Sequence, residues 1–283
     1  MTNAPPGGDV RPPRSAGELA LRVASALVLA PLAAGVAYLG GWLFTLMWVL
    51  AGAGVLWEWA TLSLGGRRVA IFALGVAVFI AAAALTATGS LAFAFALLLV
   101  GALAAALLSS GARGWAAAGI IYAGALVVAP ILLRGQDSLG FAAVVLLFAI
   151  VWATDIAAYF VGRAVGGPKL WPAVSPKKTW SGGLGGGAVA VLCALAVAHV
   201  AGLPNLTAIG VLAVILSVVS QAGDFLESAI KRHFGAKDAG ALIPGHGGLM
   251  DRLDGFVVAV ALAALIGIAR GGLEAPSRGL LIW

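Results

Sequence analysis

The sequence predicts an all-α, polytopic integral membrane protein with about nine transmembrane helices, its N-terminus inside the cell and its C-terminus outside. Composition supports the membrane assignment, because 62% of the 283 residues are hydrophobic and 10% are charged. A soluble domain has roughly 45–50% apolar and about 25% charged residues. A soluble core of this length cannot bury so much apolar surface, so lipid must cover much of it. The spacing of the apolar runs predicts the number of helices, and the positions of the basic residues predict the orientation.

Charges and Gly/Pro clusters divide the chain into apolar runs, each close to the ~20 residues that a helix needs to cross a bilayer. We predict spans at 20–39, 42–63, 69–88, 90–109, 115–133, 140–162, 182–202, 206–230 and 254–270. The break at 86–90 is the weakest, because no charge marks it. Residues 1–18, rich in proline and glycine, predict a flexible cytoplasmic tail. N-terminal transmembrane helices follow over 19–135, and a C-terminal transmembrane region covers 136–283.

The basic residues predict the orientation. With nine spans and an inner N-terminus, all but three of the 17 Lys and Arg side chains fall on the inner side; the exceptions are Arg134, Arg270 and Arg278. This bias favours N-in, C-out. It also places the two longest polar loops, 163–181 and 231–253, on one face, where they can build one site. The net charge of +6 lies in short loops, which suits membrane topology and phosphate ligands better than nucleic acid.

Six acidic residues lie within or at the ends of predicted spans, namely Glu58, Asp155, Asp224, Glu227, Asp251 and Asp254. An unpaired charge at the bilayer centre costs roughly 2.5–3.5 kcal/mol, so such residues usually face a polar cavity or a partner. Each one alone is also explained by a helix end that reaches the headgroup layer, and for Glu58 the two explanations are equally good. Six acids towards the same side favour a shared site.

The spacing of the acids indicates which of them act together. Asp224 and Glu227 are three residues apart and Ser228 follows, so these side chains share one helix face. Asp251 and Asp254 repeat the spacing at the start of the last span. The helix dipole favours acids there, but carboxylates placed close together also suit Mg²⁺, which takes oxygen ligands.

The two polar loops combine cations, hydroxyl groups and glycines. In the first loop, the stretch Ser175–Thr179 precedes a predicted span, which favours an anion site. An ordinary positive-inside loop with a Pro turn explains it equally well. The second loop mixes cations, glycines and carboxylates, as phosphoryl or nucleotidyl transfer requires. Its His246 can contact a phosphate or a base, or only cap the turn. Neither loop contains a Walker A motif, an H-E-x-x-H zinc motif or a G-x-S-x-G motif.

The second loop resembles the signature of the phosphatidate cytidylyltransferase family. That signature is a Ser, a Lys-Arg pair, a Lys-Asp pair, then His-Gly-Gly and Asp-Arg-x-Asp at fixed spacing. This chain matches it without a gap at Ser228, Lys231, Arg232, Lys237, Asp238, Gly240, Pro244, His246, Gly247, Gly248, Asp251, Arg252 and Asp254. The resemblance begins upstream, with Asp155 and the stretch Ser175–Thr179. One departure is Ser181, where the family commonly has Glu.

The resemblance implies a nucleotidyltransferase of phospholipid biosynthesis, which makes CDP-diacylglycerol and pyrophosphate from CTP and phosphatidate (phosphatidic acid). It implies Mg²⁺ as a cofactor, K⁺ as a further candidate ion, and 136–283 as the catalytic region. The expected partners are these substrates and the lipid bilayer, without nucleic acid, and a homodimer is left open. The expected location is the inner (cytoplasmic) membrane of the cell, with a multi-pass chain and an active site that faces the cytoplasm.

Residue roles follow from the resemblance and from the charge of the reactants. Two anions must meet, so the site must reduce their repulsion rather than supply a strong base. Catalytic roles are assigned to Asp224, Lys231, Arg232, Asp251 and Arg252. Substrate binding is assigned to Ser175, Lys177, Lys178, Thr179, Ser228, Lys237, His246, Gly247 and Gly248. The metal ligands are expected among Asp224, Asp251, Asp254, Asp155 and Glu227.

Two other functions are alternatives. A CTP-dependent lipid-alcohol kinase would release CDP instead of pyrophosphate, and the full match over 228–254 argues against it. A cation-coupled membrane transporter would explain Asp155 and Asp224 but not the paired basic, Gly-rich loops. A CDP-alcohol phosphotransferase is disfavoured because its D-G-x-x-A-R motif is missing.

Overall fold

The structure is a computed structural model that describes residues 28, 30–240, 242 and 247–283, and these residues are nearly all helical. The helices are α1 (Ala30–Leu39), α2 (Gly41–Ser63), α3 (Arg68–Ala87), α4 (Leu91–Leu108), α5 (Arg113–Arg134), α6 (Ser138–Val165), α7 (Trp180–Val200), α8 (Leu206–His233), α9 (Met250–Gly271) and α10 (Pro276–Leu281). A 3₁₀ turn at Gly65–Arg67 links α2 to α3.

A short β-hairpin corrects the all-α prediction. Strands β1 (Lys169–Trp171) and β2 (Ser175–Thr179) pair antiparallel between α6 and α7, with Lys169 opposite Thr179 and Trp171 opposite Ser175. Backbone groups outside a helix still need hydrogen-bond partners, and this polar loop supplies them from its own two arms. The hairpin therefore gives the lysines of the first polar loop a fixed register.

Eight helices, α2 to α9, are long and apolar enough to cross a membrane in the part of the chain that the structure describes. They correspond in order to the second to ninth predicted spans, and α6, α8 and α9 are a few residues longer than predicted. The first predicted span lies partly outside the described residues, which include its second half as α1, so nine spans stays a prediction. The tail predicted over 1–18 also lies outside them.

Two of the breaks between helices depend on glycine. Gly40 and Gly41 have φ values of 65° and 57° where α1 meets α2. Gly89, with φ of 83°, lies in the turn between α3 and α4. Glycine adopts positive φ without the steric penalty that other residues pay. The weakest predicted break, at 86–90, is therefore confirmed as a turn, although no charge marks it.

One continuous core joins the two halves of the chain. Phe79 of α3, Ile120 of α5 and Leu147 of α6 are fully buried in the same cluster. Trp48 of α2 stacks on Phe256 of α9, with ring centroids 5.1 Å apart and planes 5° from parallel. The N-terminal helices therefore pack directly against the last long helix.

The bundle has two distinct ends. At one end, Trp115 at the start of α5 packs against His233 at the close of α8, with ring centroids 5.1 Å apart. At the opposite end, Arg134 and Arg270 donate to the backbone carbonyls of Ala37 and Gly279. Both polar loops adjoin the first end, so the prediction that they share one face of the bundle is confirmed.

Candidate active site

A cavity of about 690 Å³ opens between α6, the hairpin, α7, α8 and the start of α9. The predicted site residues in its lining are Asp155, Lys177, Lys178, Thr179, Asp224, Glu227, Ser228, Lys231, Asp251, Arg252 and Asp254. The lining also includes Tyr159, Arg163, Lys169 and Gln221, for which no site role was predicted. The structure therefore brings the acids of three helices together with both polar loops.

A close crossing of α8 and α9 brings Asp224 and Asp254 together. A Cβ atom added to Gly223 would lie 2.6 Å from the backbone oxygen of Asp254, and one added to Gly255 would lie 2.7 Å from Asp224 Oδ1. The helices can approach this closely because both positions are glycine. Acids that are 30 residues apart in sequence therefore face the same cavity.

Helix α6 forms the opposite wall of the cavity. Asp155, Tyr159 and Arg163 recur every four residues, so they share one helix face, and all three line the cavity. The Arg163 guanidinium donates to the Tyr159 hydroxyl at 3.1 Å. The Asp155 carboxylate faces the same cavity as Asp224 of α8.

Two lysines lie between the carboxylates. Lys178 of β2 forms an ion pair with Asp224. Lys231 of α8 bridges two acids, with its Nζ atom 2.6 Å from Glu227 and 2.5 Å from Asp251. The Glu227 side chain is 1% exposed, so its charge is neutralised inside the protein rather than by water. The first pair joins the hairpin to α8, and the bridge joins α8 to α9.

Asp251 is fixed by hydrogen bonds within the protein. Its Oδ1 atom accepts from Lys231, and its Oδ2 atom accepts from the backbone N–H groups of Ala239 and Gly248, at 3.1 and 3.0 Å. The carboxylate thus ties the two ends of the Gly-rich loop to the first turn of α9. Both of its oxygens are engaged, which favours a positioning role over a metal-binding role at this residue.

The other carboxylates partly fit a magnesium site. Asp224 Oδ1 and Glu227 Oε1 are buried oxygens without a hydrogen-bond partner within the described residues. No group of three or more acidic, His or Cys side chains in the described ranges stands ready to hold a metal alone. Mg²⁺ at phosphate sites usually takes one or two carboxylates and completes its shell with water and substrate phosphates. The donor set therefore fits a metal that is shared with the substrate.

Several predicted substrate-binding residues have structural partners instead. Thr179 is the N-cap of α7, and its hydroxyl accepts from the Gly182 N–H at 3.1 Å. Ser175 is paired within the hairpin and does not line the cavity. Ser181, where the family commonly has Glu, donates to the carbonyl of Gly166. Substrate roles for Ser175 and Thr179 stay predictions.

Other predicted residues do not line the cavity. Arg232 and Lys237 are exposed, and Arg232 follows Lys231 on a different face of α8. Gly247 and Gly248 lie next to the Asp251 carboxylate, and His246 lies outside the described residues. Their roles in binding substrate also stay predictions.

Two residues near the site come from the N-terminal half: Glu58, which was among the six predicted acids but was assigned no role, and Tyr122, for which nothing was predicted. The carboxylate of Glu58 accepts from the backbone N–H groups at the start of α9. The Tyr122 ring stacks on Trp59, and its buried hydroxyl has no hydrogen-bond partner within the described residues. Local spacing cannot reveal the Glu58 contacts, because the partners are 191 and 192 residues away. The only signal was that Glu58 is an acid inside an apolar run.

A larger cavity, about 960 Å³, lies at the opposite end of the bundle. Arg134, Asp137 and Glu274 line it, and none of the predicted site residues does. Arg134 is engaged with backbone carbonyls and Asp137 caps α6. The acid and lysine cluster therefore identifies the smaller cavity as the candidate active site.

Known proteins resemble most of the chain. The model of the family described as "Cytidylyltransferase family" matches residues 20–268. A phosphatidate cytidylyltransferase of Brucella suis biovar 1 (strain 1330) is 45% identical over 268 residues, which cover 92% of this chain and 97% of that protein. A phosphatidate cytidylyltransferase of Bacillus subtilis (strain 168) is 42% identical over 126 residues, covering 44% of this chain and 47% of its own.

Proposed function

The chain belongs to the cytidylyltransferase family, and from this premise we propose how its cavity transfers a cytidylyl group from CTP to phosphatidate. Its activity is that of a phosphatidate cytidylyltransferase, which makes CDP-diacylglycerol and pyrophosphate in phospholipid biosynthesis. One observation supports the choice of site above all others. Lysines from the two polar loops meet carboxylates from three membrane helices in one cavity.

Charge neutralisation is the main task of this site. The phosphate of phosphatidate attacks the α-phosphorus of CTP, the new P–O bond forms, and pyrophosphate leaves with the electron pair of the broken bond. Both reactants are anions, so preorganised cations lower the barrier. Each lysine ammonium has three donors, so Lys178 and Lys231 can keep their carboxylate partners while they donate to phosphate oxygens.

Asp224 and Glu227 are the proposed metal ligands, with Asp155 and Asp254 beside them. The support is the pair of buried carboxylate oxygens that lack a hydrogen-bond partner in the described chain. Mg²⁺, when bound, offsets the charge that develops on the phosphate oxygens. Asp251 is given a smaller part in metal binding, because Lys231 and two backbone N–H groups engage its oxygens. K⁺ is retained as an additional ion without an assigned ligand.

Three cations at the cavity rim are the proposed site for the leaving pyrophosphate. Arg163, Lys169 and Lys177 are exposed and line the cavity, and they form no ion pair with a carboxylate in the part of the chain described. Unpaired cations suit the β- and γ-phosphates, which carry most of the charge of CTP. The paired lysines deeper inside suit the reacting phosphates.

The lipid substrate is proposed to enter along α6. Ile156 and Phe160 on this helix are 60% and 64% exposed, beside the cavity residues Asp155 and Tyr159. Acyl chains can lie against this apolar surface while the headgroup reaches the cavity. CTP would arrive from the aqueous side, over the hairpin and its lysines.

The protein is a multi-pass membrane protein, and we propose the inner membrane as its location, with the cavity facing the cytoplasm. The support is the positive-inside bias, which assigns the basic end of the bundle to the cytoplasm. Nine spans, N-in and C-out, belong to the same proposal.

We also propose a homodimer with α7 as its interface. Of the eight spans, α7 has the smallest buried share, 22%. Cross-linking of native membranes tests the dimer.

The activity is tested with purified protein, labelled CTP and phosphatidate, with and without Mg²⁺. We expect CDP-lipid and pyrophosphate, formed only with Mg²⁺. Release of CDP would instead identify a lipid kinase. Asp224→Asn should lower turnover by about 10–100-fold, while Glu274→Gln, at the opposite end of the bundle, should leave it unchanged. Wild-type turnover in Asp224→Asn would refute the metal assignment.

A further inference from the structure

The start of α9 lacks a capping side chain of its own. Leu249 stands at the N-cap position, where leucine cannot accept a hydrogen bond, and no side-chain cap is formed there. The first N–H groups of any helix have no partner within the helix. At the start of α9, Met250 is buried and Leu249 is partly buried, so their N–H groups need an acceptor from elsewhere.

Glu58 of α2 supplies that acceptor. Its Oε1 atom accepts from the Leu249 N–H at 3.0 Å, and its Oε2 atom accepts from the Met250 N–H at 2.7 Å. The residue is 1% exposed, so water does not compete. A negative charge at this end of a helix is also favoured by the helix dipole.

Two glycines of the second polar loop make room for the carboxylate. A Cβ atom at Gly240 would lie 2.7 Å from the Glu58 Cδ atom, and one at Gly248 would lie 2.7 Å from Glu58 Oε2. Gly240 and Gly248 therefore leave space for the Glu58 carboxylate, which accounts for part of the Gly-rich pattern. The backbone N–H groups of Gly248, Leu249 and Met250 also donate to protein carboxylates.

We propose that Glu58 is a positioning residue for the transfer reaction, because it holds the first turn of α9 and thereby aims Asp251 and Asp254 into the cavity. The connection runs from Glu58 to the start of α9, and from Asp251 to Lys231 and Glu227. The N–H groups of Leu249 and Met250 are therefore occupied by a protein carboxylate and are not free to bind a substrate phosphate. The expected effect of Glu58 on turnover rests on the proposed function. Its expected effect on the backbone at the start of α9 does not.

Glu58→Gln tests the proposal with little change in volume. The amide keeps one acceptor oxygen but places an NH₂ group against a buried N–H donor. We expect turnover to fall about tenfold or more, with the KM for CTP changing much less. The backbone amides of Leu249 and Met250 should exchange hydrogen faster than in the wild type. Glu274→Gln is the matched control and should change neither quantity.

Gly240→Ala provides a second test that keeps the carboxylate. It should lower turnover when Glu58 is present and have a smaller effect in the Glu58→Ala background, where the space is free. Gly66→Ala is its control, because a Cβ atom there meets nothing within 4 Å. Unchanged amide exchange at Leu249 and Met250 in Glu58→Gln, or equal effects of Gly240→Ala in both backgrounds, would overturn the proposal. If the wild type released no pyrophosphate, the proposed function would fail, while the exchange data would still decide the role of Glu58.

Discussion

The lysines of the cavity have different surroundings, although they have the same chemistry. Lys231 lies between Glu227 and Asp251, and its side chain is 13% exposed. Lys177 lines the same cavity but is exposed, and within the described residues it has no ion-pair partner. Removing one member of a buried ion pair leaves the other charge uncompensated. The two lysines should therefore differ in their contribution to stability.

Lys231→Met is predicted to destabilise the protein by about 3–5 kcal/mol, because it leaves two carboxylates at one buried position without their cation. Lys177→Met should leave stability nearly unchanged, while both variants lose activity. Thermal unfolding in detergent, measured beside pyrophosphate release, separates the two effects. Equal unfolding temperatures for the two variants would contradict the prediction.

For individual residues, sequence spacing could predict which side chains meet on one helix, but not which side chains meet between helices. The shared face of Asp224, Glu227 and Lys231 was predictable, because residues three or four apart lie on one side of a helix. The bond from Lys231 to Asp251 was not, because it depends on how α8 and α9 cross. For the same reason the partners of Glu58 were not predictable, because they lie 191 and 192 residues away in the chain.

Helices α6 and α7 pack through glycines. A Cβ atom at Gly182 would lie 2.7 Å from the backbone oxygen of Ala158, and one at Gly186 would lie 2.7 Å from that of Thr154. Small residues allow membrane helices to approach closely and gain van der Waals contact. This contact sets the distance between the α6 wall of the cavity and the hairpin that precedes α7.

Gly186→Ala is predicted to lower stability by about 1–3 kcal/mol, because the added methyl group meets backbone that cannot move aside. Gly187→Ala is the matched control on the next residue, where the Cβ atom would meet only Ser217 Oγ at 3.6 Å. Unfolding temperatures in the same detergent provide the comparison. The prediction is wrong if the two alanine variants melt together.

At the scale of elements, the long helices were predictable and the hairpin was not. An apolar run of about 20 residues identifies a span by its length alone. Strands of three and five residues, rich in Lys and Pro, have no comparable pattern. The two strands also carry no apolar alternation that would indicate a half-buried sheet.

Charge is distributed unevenly along the whole molecule. The end of the bundle with the cavity carries most of the basic residues, whereas Arg134 and Arg270 at the other end are bound to backbone carbonyls. These two arginines hydrogen-bond the end of α1 and the segment around α10. The asymmetry is what the positive-inside rule uses to orient a membrane protein.

The predicted orientation can be tested with single cysteines in a Cys193→Ser background. Gly66→Cys reports on the cavity end and Arg278→Cys on the opposite end, and both positions are exposed. A membrane-impermeant maleimide should label Arg278→Cys in spheroplasts, which lack the outer barriers of the cell, and Gly66→Cys only after the membrane is opened. The reverse pattern would refute the N-in, C-out proposal.

The sequence could predict the membrane class, the order of the long spans and the family. These depend on composition, run length and a fixed motif, all of which are local. The single core that joins both halves was not predictable, because stacking such as that of Trp48 on Phe256 depends on packing across the chain. The depth at which each cation lies in the cavity was not predictable either.

The contact between Glu58 and α9 also affects how the chain is assembled during synthesis. Glu58 leaves the ribosome 191 residues before Leu249, which corresponds to roughly 10–40 s at ordinary elongation rates. During that time α2 carries an acid whose final acceptors have not been made. Glu58 lies within the last two turns of α2, so its side chain can stay near interfacial water while it waits. The contact that joins α2 to α9 can therefore form only after the last long helix has been made.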